Sequence, residues 1–441
     1  KSGLYPLYVA YSIYRMMLPK EEKDMSLEDA QEYWRRALQD HLFVLCQTKM
    51  AISITKRTLA GYTGAAVNAI YLTKLLERME NQKRLANKLR NPVTWGVEGD
   101  ERMNFNAVVG NPPYQETGGS GGTNDSPLYQ YFALSAEELN PDYISLIMPA
   151  RWFSGGRENL LGDFRKHMQS NKSLALMYVY PEAREIFPTV EIKSGLCYYL
   201  HDSSYSGKCH YVMIEGGKRV EFDRDLDDSE VIIRNPILGE IVRKVHQYDP
   251  DVLTVDSVIS GDTPFGIGTK PTESKKYAVE VFEDSSDDHD TMLLYFDKGH
   301  RYIAYVDGRK ITKNSEDVSK VKVFVPAAAG TGNDQQVLGK PFVAPANSVC
   351  SQTFLYAAFD SKDEAQNFVS YYQTKLFRAI VSAVKITQHA QSSVYRFVPM
   401  QDFSKPWTDG ELYEKYSLSA EEIEFIETSY NEMDLSNEDE A

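Results

Sequence analysis

Long apolar runs, paired cysteines and an excess of positive charge are all missing from this 441-residue chain. No stretch approaches the ~20 apolar residues of a membrane-spanning helix, so no membrane partner is expected. The opening residues Lys1-Ser2-Gly3-Leu4-Tyr5 lack the charged region and apolar block of a secretory signal. They also lack an initiator Met, as expected of a piece of a longer polypeptide. The four cysteines, Cys46, Cys197, Cys209 and Cys350, are scattered without CxxC spacing, and the eight histidines do not cluster with them. That argues against a structural zinc site and a disulfide framework, and for a reducing, cytoplasmic setting. No metal is expected.

Positive charge is scarce overall, with a net charge of -15. Its distribution matters more than its sum. From Asp409 to the end there are twelve acidic residues and one lysine. The rest of the chain is therefore close to balanced. A generally adhesive DNA coat is excluded; a specific reader with a locally basic cleft is not.

What is present is an alternation of strand and helix patterns. Leu4–Leu18 reads as a strand end running into a helix, and Ser26–Asp40 as a helix with Ser26 as N-cap and Asp29 three residues on. His41–Cys46 and Val67–Leu72 read as strands. Between them lies a helix over Met50–Leu59, closed by Gly61. A long charged helix is expected up to about Arg90. Strand Asn106–Val109 leads into a proline pair, followed by a glycine-rich loop, Thr117–Asn124. Helix Pro127–Leu139, strand Tyr143–Met148, helix Leu160–Ser170 and strands Leu174–Val179 and Leu196–Leu200 come next. This order implies an α/β unit with a largely parallel sheet over residues 1–205. Residues 206–250 read as a linker with a helix at Pro236–His246. Residues 251–408 read as an α+β domain, and 409–441 as an acidic helical segment. Phe265-Gly266-Ile267-Gly268-Thr269 imitates a glycine-rich cofactor loop, but Lys270-Pro271 follows where a helix would have to start, so a turn is expected.

The residues that carry chemistry are Asn111-Pro112-Pro113-Tyr114. They suit methylation of a planar exocyclic amine. Such an amine is a poor nucleophile, because its lone pair is delocalised into the ring. Two acceptors aimed at its two N–H bonds localise that lone pair. The Asn111 side-chain carbonyl can be one and the main-chain carbonyl of Pro112 the other. Pro112 and Pro113 hold the backbone extended, which fixes the carbonyl's direction. Tyr114 offers a ring for stacking. The motif also leaves the carboxyl end of a strand, where open α/β sheets bind ligands.

With these residues, the segment Asn106–Leu200 resembles the catalytic half of the gamma-class N6-adenine DNA methyltransferases. The likeness is to the methylase regions of type II (IIG-like) restriction–modification enzymes that carry nuclease and methylase on one chain, and it extends over most of the chain. In that family a mobile loop and an L-Y-x-x-F helix follow the tetrapeptide; here Leu128, Tyr129 and Phe132 match. A strand ending in proline before a tryptophan is matched by Pro149 and Trp152. Ile186-Phe187-Pro188 matches the segment whose aromatic packs on the extruded adenine, a role that falls by position to Phe187. The resemblance implies a Rossmann-like fold whose first strand lies before residue 1, with S-adenosylmethionine as methyl donor. Ser2, Gly3 and Leu4 correspond to the tail of its first cofactor motif. Asn111 also borders the donor. The ribose carboxylate of the second motif is absent from Phe43–Thr48, so Gln47 or Thr48 has to substitute. Thr73 falls where a third-strand polar group meets the adenine of the cofactor.

Double-stranded DNA is the expected partner, and a nuclease or helicase on the same longer polypeptide or as a partner subunit is compatible with the resemblance. DNA reading needs polar groups for base edges and cations for phosphates. The stretch after Lys375 has both: Lys375, Lys385, Gln388, His389, Ser392 and Arg396, with a helix over Tyr371–Val384 and a loop over Ile386–Ser393. Three other readings remain. Glu182, Glu191 and Lys193 imitate a Mg²⁺-dependent nuclease. The tetrapeptide could serve a protein glutamine or ribosomal RNA instead of DNA. A non-catalytic specificity subunit is the third, against which the intact tetrapeptide speaks.

Overall fold

The computed structural model describes residues 3–19, 25–61, 64–73, 75–79, 81–116, 126–154, 161–190, 192, 194–248, 250–273, 278–297, 300–329, 335–385 and 387–433. Among them, no helix is long and apolar enough to cross a membrane.

The N-terminal part contains helices α1 (Leu4–Met17), α2 (Leu27–Arg36) and α3 (Lys49–Ala60), with strands β1 (Phe43–Cys46) and β2 (Asn68–Tyr71). Ser26 and Asp29 form the expected capping box on α2, and Gly61 closes α3 at φ 57. Strands β1 and β2 pair in parallel as a separate two-stranded sheet. Two expectations fail here. Leu4 begins a helix directly after Gly3, so the strand end expected at the start of Leu4–Leu18 is helix instead. The single long helix expected up to about Arg90 is two short ones, α4 (Leu75–Met79) and α5 (Gln82–Leu89), and a third, α6 (Pro92–Trp95), follows beyond it. Asn81 and Asn91 each accept a backbone N–H and start a new helix.

Strands β3 (Ala107–Gly110), β6 (Tyr143–Pro149), β7 (Leu174–Tyr180), β8 (Leu196–Asp202), β9 (Cys209–Glu215) and β10 (Lys218–Arg224) form a six-stranded sheet in the order β10-β9-β7-β8-β6-β3. The short strands β4 (Gln115–Glu116) and β5 (Ser126–Pro127) pair beside it. Helices α7 (Tyr129–Glu137) and α8 (Asp163–Ser170) contribute Tyr129, Ala133, Phe164 and Met168 to the core on one face. The sheet is mixed: β3–β6 and β7–β9 are parallel, whereas β8 is antiparallel to both neighbours. The α/β class is as expected; the largely parallel sheet is not. Residues 206–250 are not a linker either. A Gly216-Gly217 turn, φ 58 and 74, folds β9 and β10 into a hairpin that extends the sheet.

Helix α9 (Pro236–Tyr248) belongs to the second body, where Leu238, Ile241, Val242 and Val245 enter its core. That core also holds helices α10 (Lys362–Gln373) and α11 (Lys375–Val384). They replace the single helix expected over Tyr371–Val384, because the chain turns out at Thr374, ψ 147, which caps α11. The remaining strands are β11 (Thr291–Asp297), β12 (His300–Val306), β13 (Val321–Pro326), β14 (Phe342–Ala344), β15 (Ser348–Cys350) and β16 (Phe354–Phe359), in two three-stranded sheets. The acidic end is integrated with this body through α12 (Asp409–Lys415) and α13 (Ala420–Ser429), whose Leu412, Tyr413 and Ile426 are buried in the same core. Phe265 and Ile267 are buried around a turn at Gly266, φ 74, as the proline after them implied.

The two bodies meet along Val231-Ile232-Ile233. Val231 and Ile233 point into the second core and Ile232 into the first. The Ile232 N–H donates to Phe153 O at 2.9 Å, and the Ser154 hydroxyl donates to Val384 O at 3.0 Å.

Candidate active site

Strand direction gathers the matched motifs at one edge. Strand β3 is parallel to β6, and β7 runs the same way because both β6 and β7 are antiparallel to β8. Asn111, Ala150–Trp152 and Pro181–Phe187 therefore all leave the carboxyl edge of one sheet. Gly195 returns the chain there, its N–H side folded back by Ile192 O at 2.9 Å and its carbonyl accepting from Ala150 N at 3.1 Å. With φ 67, a Cβ on it would lie 2.6 Å from Pro181 O, so the crossing needs glycine.

Asn111 is exposed at this edge, Pro112 is buried and Tyr114 is half-buried. The far side of the motif is fixed: Tyr114 O accepts from Leu128 N at 3.1 Å, and the β4–β5 pairing closes the base of the following loop. That glycine-rich loop, residues 117–125, lies outside the described residues. No backbone donor among the described residues reaches the Pro112 carbonyl. Asn111 thus stands exposed at the edge, with the carbonyl of the buried Pro112 next to it in the chain. The Tyr114 hydroxyl is buried without a well-formed hydrogen bond. Burial pushes this phenol up to about 12, aided by Cys197 and opposed by the Asn111 side chain beside it.

The other matched aromatics act from beneath. Trp152 is fully buried, 4.7 Å from the Phe153 ring and 5.5 Å from Phe164, and Tyr129 lies 6.3 Å from Phe164. They form the floor that supports the edge. Phe187 is half-buried in a tight turn after β7, its N–H donating to Ala183 O at 2.9 Å. Strands β3 and β7 are three strand spacings apart in the sheet, ~14 Å. The turns carrying Tyr114 and Phe187 have to lean over that gap to sandwich one base.

The expected donor-binding residues sit on the neighbouring two-stranded sheet. Gln47 and Thr73 lie just beyond the carboxyl ends of β1 and β2, which the parallel pair Cys46↔Tyr71 brings side by side. Both are exposed. Thr48 is diverted: its hydroxyl accepts from Ala51 N at 3.1 Å and caps α3. Gly3 packs on the same helix, where a Cβ would meet Thr58 Oγ1 at 2.7 Å, and Leu4 starts α1. Ser2 lies outside the described residues. Phe43, Leu45, Ile70 and Val108 share one apolar cluster, so this sheet adjoins β3.

The candidate DNA residues do not form one solvated loop. Lys375 begins α11 and pairs with Glu427, so it is engaged inside the second body. Lys385 is 1% exposed and donates to Ala329 O at 3.2 Å. Arg396 pairs with Glu230 at 3.3 Å across the junction and lies 5.5 Å over the Phe397 ring. Ser392 starts a 3-10 turn and is half-buried. Gln388 and His389 are exposed, on backbone pinned by Ala329 N to Gln388 O at 2.8 Å. Of the nuclease residues, Glu182 is exposed, and Glu191 and Lys193 lie outside the described residues. Among the described residues, no three His, Cys, Asp or Glu side chains are grouped to hold a metal ion. The sequence reading missed Arg234, half-buried in the junction with its Nη2 out of reach of solvent and no local pattern to reveal it.

Residues 40–187 match the model of the Eco57I restriction-modification methylase family. This segment is methylase-like. It is also 32% identical over 156 residues to an "uncharacterized adenine-specific methylase" of Mycoplasma pneumoniae, covering 32% of this chain and 37% of that one. The chain thus spans well under half the length of that relative. Solved structures similar to the whole chain include a nuclease-deletion mutant of the Type ISP restriction-modification enzyme LlaGI in complex with a DNA substrate mimic. Its TM-score is 0.49 at 11% identity, covering 98% of this chain and 44% of that one. The type IIG restriction endonuclease BpuSI gives a TM-score of 0.36 at 10% identity, covering 98% of this chain and 66% of that one. The likeness to restriction–modification adenine methylases expected from Asn111–Tyr114 is found, and the family match includes that motif.

Proposed function

We propose that the chain is the methyl-transferring and DNA-reading part of a restriction–modification adenine-N6 methyltransferase. The observation that carries this reading is Asn111 exposed at the carboxyl edge of the sheet, with the Pro112 carbonyl beside it and the Tyr114 ring behind. Asn111 Oδ1 and Pro112 O accept the two N–H bonds of the target amine and draw its lone pair out of the ring plane. A base reaches them only when extruded from the duplex, and Tyr114 and Phe187 supply the rings that repay the lost stacking. The chain is read as a Rossmann-like methyltransferase unit followed by an α+β target-recognition unit.

S-adenosylmethionine is the donor implied by this chemistry, since it carries a methyl group on a positively charged sulfur. Gln47 and Thr73 fit it in position and in polarity, because both are exposed polar groups at adjacent strand ends. Gln47 takes the ribose contact that a carboxylate holds in the resembling family. Thr48 contributes through its backbone, since its hydroxyl caps α3.

The experiment is transfer of labelled methyl groups from S-adenosylmethionine to duplex DNA, with the modified base identified after digestion. N6-methyladenine is expected. Asn111→Ala should cost at least ~10²-fold in turnover, the scale of losing one transition-state hydrogen-bond partner, and leave DNA affinity within a few-fold. Turnover near that of the parent would remove Asn111 from the mechanism.

A further inference from the structure

A cavity of about 140 Å³ lies in the junction between the two bodies. Its walls come from Pro181, Glu215 and Arg234 on one side and from Lys385, Phe425 and Tyr430 on the other. The volume is several times the ~30 Å³ share of one water. Two cationic side chains face one carboxylate across it. Lys385 is 1% exposed, so its charge is held almost wholly away from bulk solvent. Arg234 presents a buried Nη2 with no hydrogen-bond partner. A guanidinium nitrogen left this way is costly, and native interiors seldom leave one without a reason.

The surroundings point the same way. Asn235 accepts from Ile237 N at 2.9 Å and from Leu238 N at 3.2 Å, so the positive end of α9 opens at the cavity wall. The hydroxyls of Ser382 and Tyr430 bond to each other at 2.7 Å, which leaves Arg234, Lys385 and Glu215 as the charged features of the lining, with the Lys385 ammonium also donating to Ala329 O at 3.2 Å. Water could fill such a space, but two cations against the one carboxylate of Glu215 leave a net positive charge that favours an anion with several acceptor oxygens.

Position identifies the anion. Pro181 directly follows β7 on the edge that carries the candidate active site, and Lys385 stands three residues before the exposed Gln388. The geometry points to this cavity as a seat for a DNA backbone phosphate, gripped by Arg234 and Lys385 where the catalytic edge meets the reading loop. The inference rests on the proposed function, since it requires DNA along that seam. One seated phosphate fixes the duplex against both bodies at once, so it sets which nucleotide faces Asn111.

The test is equilibrium binding of the full chain to a 30-base-pair duplex across a salt series, with inorganic phosphate alone as a second probe read by melting temperature. Loss of one phosphate contact lowers the slope of log K against log salt by about 0.9. Arg234→Gln should show that fall, a loss of about ten-fold or more in affinity at fixed salt from the missing charge-assisted contact, and no stabilisation by phosphate. Arg234→Lys, which keeps the charge, should keep the slope; Lys385→Gln repeats the test if Arg234→Gln does not fold. An unchanged slope and affinity in folded Arg234→Gln and Lys385→Gln, with the parent binding DNA normally, would overturn the phosphate seat and leave the methylase reading intact. No duplex binding by the parent would instead overturn the reading beneath it.

Discussion

Replacing Tyr114 by Phe removes one oxygen from the candidate catalytic edge. That oxygen is buried and has no well-formed hydrogen bond, and burial pushes its pKa up to about 12, so it stays neutral under assay conditions. An orphaned buried hydroxyl costs ~1–3 kcal/mol. The Tyr114 side chain is only half-buried, so the low end, ~1 kcal/mol, is the appropriate scale. For a body of 150–250 residues, that gain raises the melting temperature by ~2–4 °C. The ring is unchanged, so stacking against a flipped base survives, and turnover should stay within ~3-fold, or ~0.7 kcal/mol of barrier. Tyr114→Ala removes the ring as well and should lose the ~1–3 kcal/mol of one base–aromatic stack. The assays are calorimetry of the free protein and single-turnover methyl transfer on a duplex substrate. A Tyr114→Phe protein that melts lower and turns over ~10²-fold more slowly would refute the reasoning. The hydroxyl would then be positioning Asn111, which lies beside it.

Phe187→Ala should slow methylation of paired adenine more than of adenine opposite a mismatch, because a mismatched base costs less to extrude; equal losses on both substrates would remove Phe187 from base holding. Gln388→Ala and His389→Ala should change the preference at one base position by ~1–3 kcal/mol, read on a panel of duplexes with single-base changes; an unaltered preference in both would move the reader elsewhere. Lys322→Met should destabilise the second body by ~2 kcal/mol or more in urea titrations, because the ammonium donates to Asp317 O at 2.7 Å, Val318 O at 3.0 Å and Lys320 O at 2.5 Å. Burial pulls that ammonium down from 10.5 to about 8, so the folded state gives up its proton first, and stability should rise with pH between those values in the parent and not in Lys322→Met. The hydrogen bond of His167 to Glu137 at 2.6 Å raises the imidazole pKa. Its stabilisation is full below the unfolded pKa of ~6.5 and fades as pH rises through the folded value, so Glu137→Gln should cost stability at pH ~6 and little at pH ~9, by well under 1 kcal/mol because the histidine side chain is 45% exposed.

The sequence was most legible where local chemistry decides structure. Ser26 with Asp29, Gly61 and the proline pair each act on their own few residues, and each does what its type implies. The tetrapeptide was legible for the same reason, since a strand running into two prolines has to end. The Gly216-Gly217 turn was equally local, yet polar residues on the exposed strand β10 masked a hairpin as a linker. Long-range effects were not readable. The basic stretch after Lys375 has the composition of a DNA surface, but Glu427 and Ala329, distant in sequence, draw Lys375 and Lys385 inward. Arg234 gains its meaning only when 181, 215 and 385 come together.

The alternation at Val231-Ile232-Ile233 bears on how such proteins could be recombined. Three consecutive side chains are shared between two cores, and α9 surrenders its apolar face to the second one. A chimera spliced after Pro250, where composition changes, would leave the incoming second body without Leu238, Ile241, Val242 and Val245. A splice between β10 and Val231 would carry those four across and leave Ile232, the Ser154–Val384 hydrogen bond and the cavity walls around Arg234 to be matched to the new host. Grafting of the second body is therefore restricted to a short window upstream of the compositional boundary, and the contacts of Ile232, Ser154 and Arg234 decide whether the graft seats.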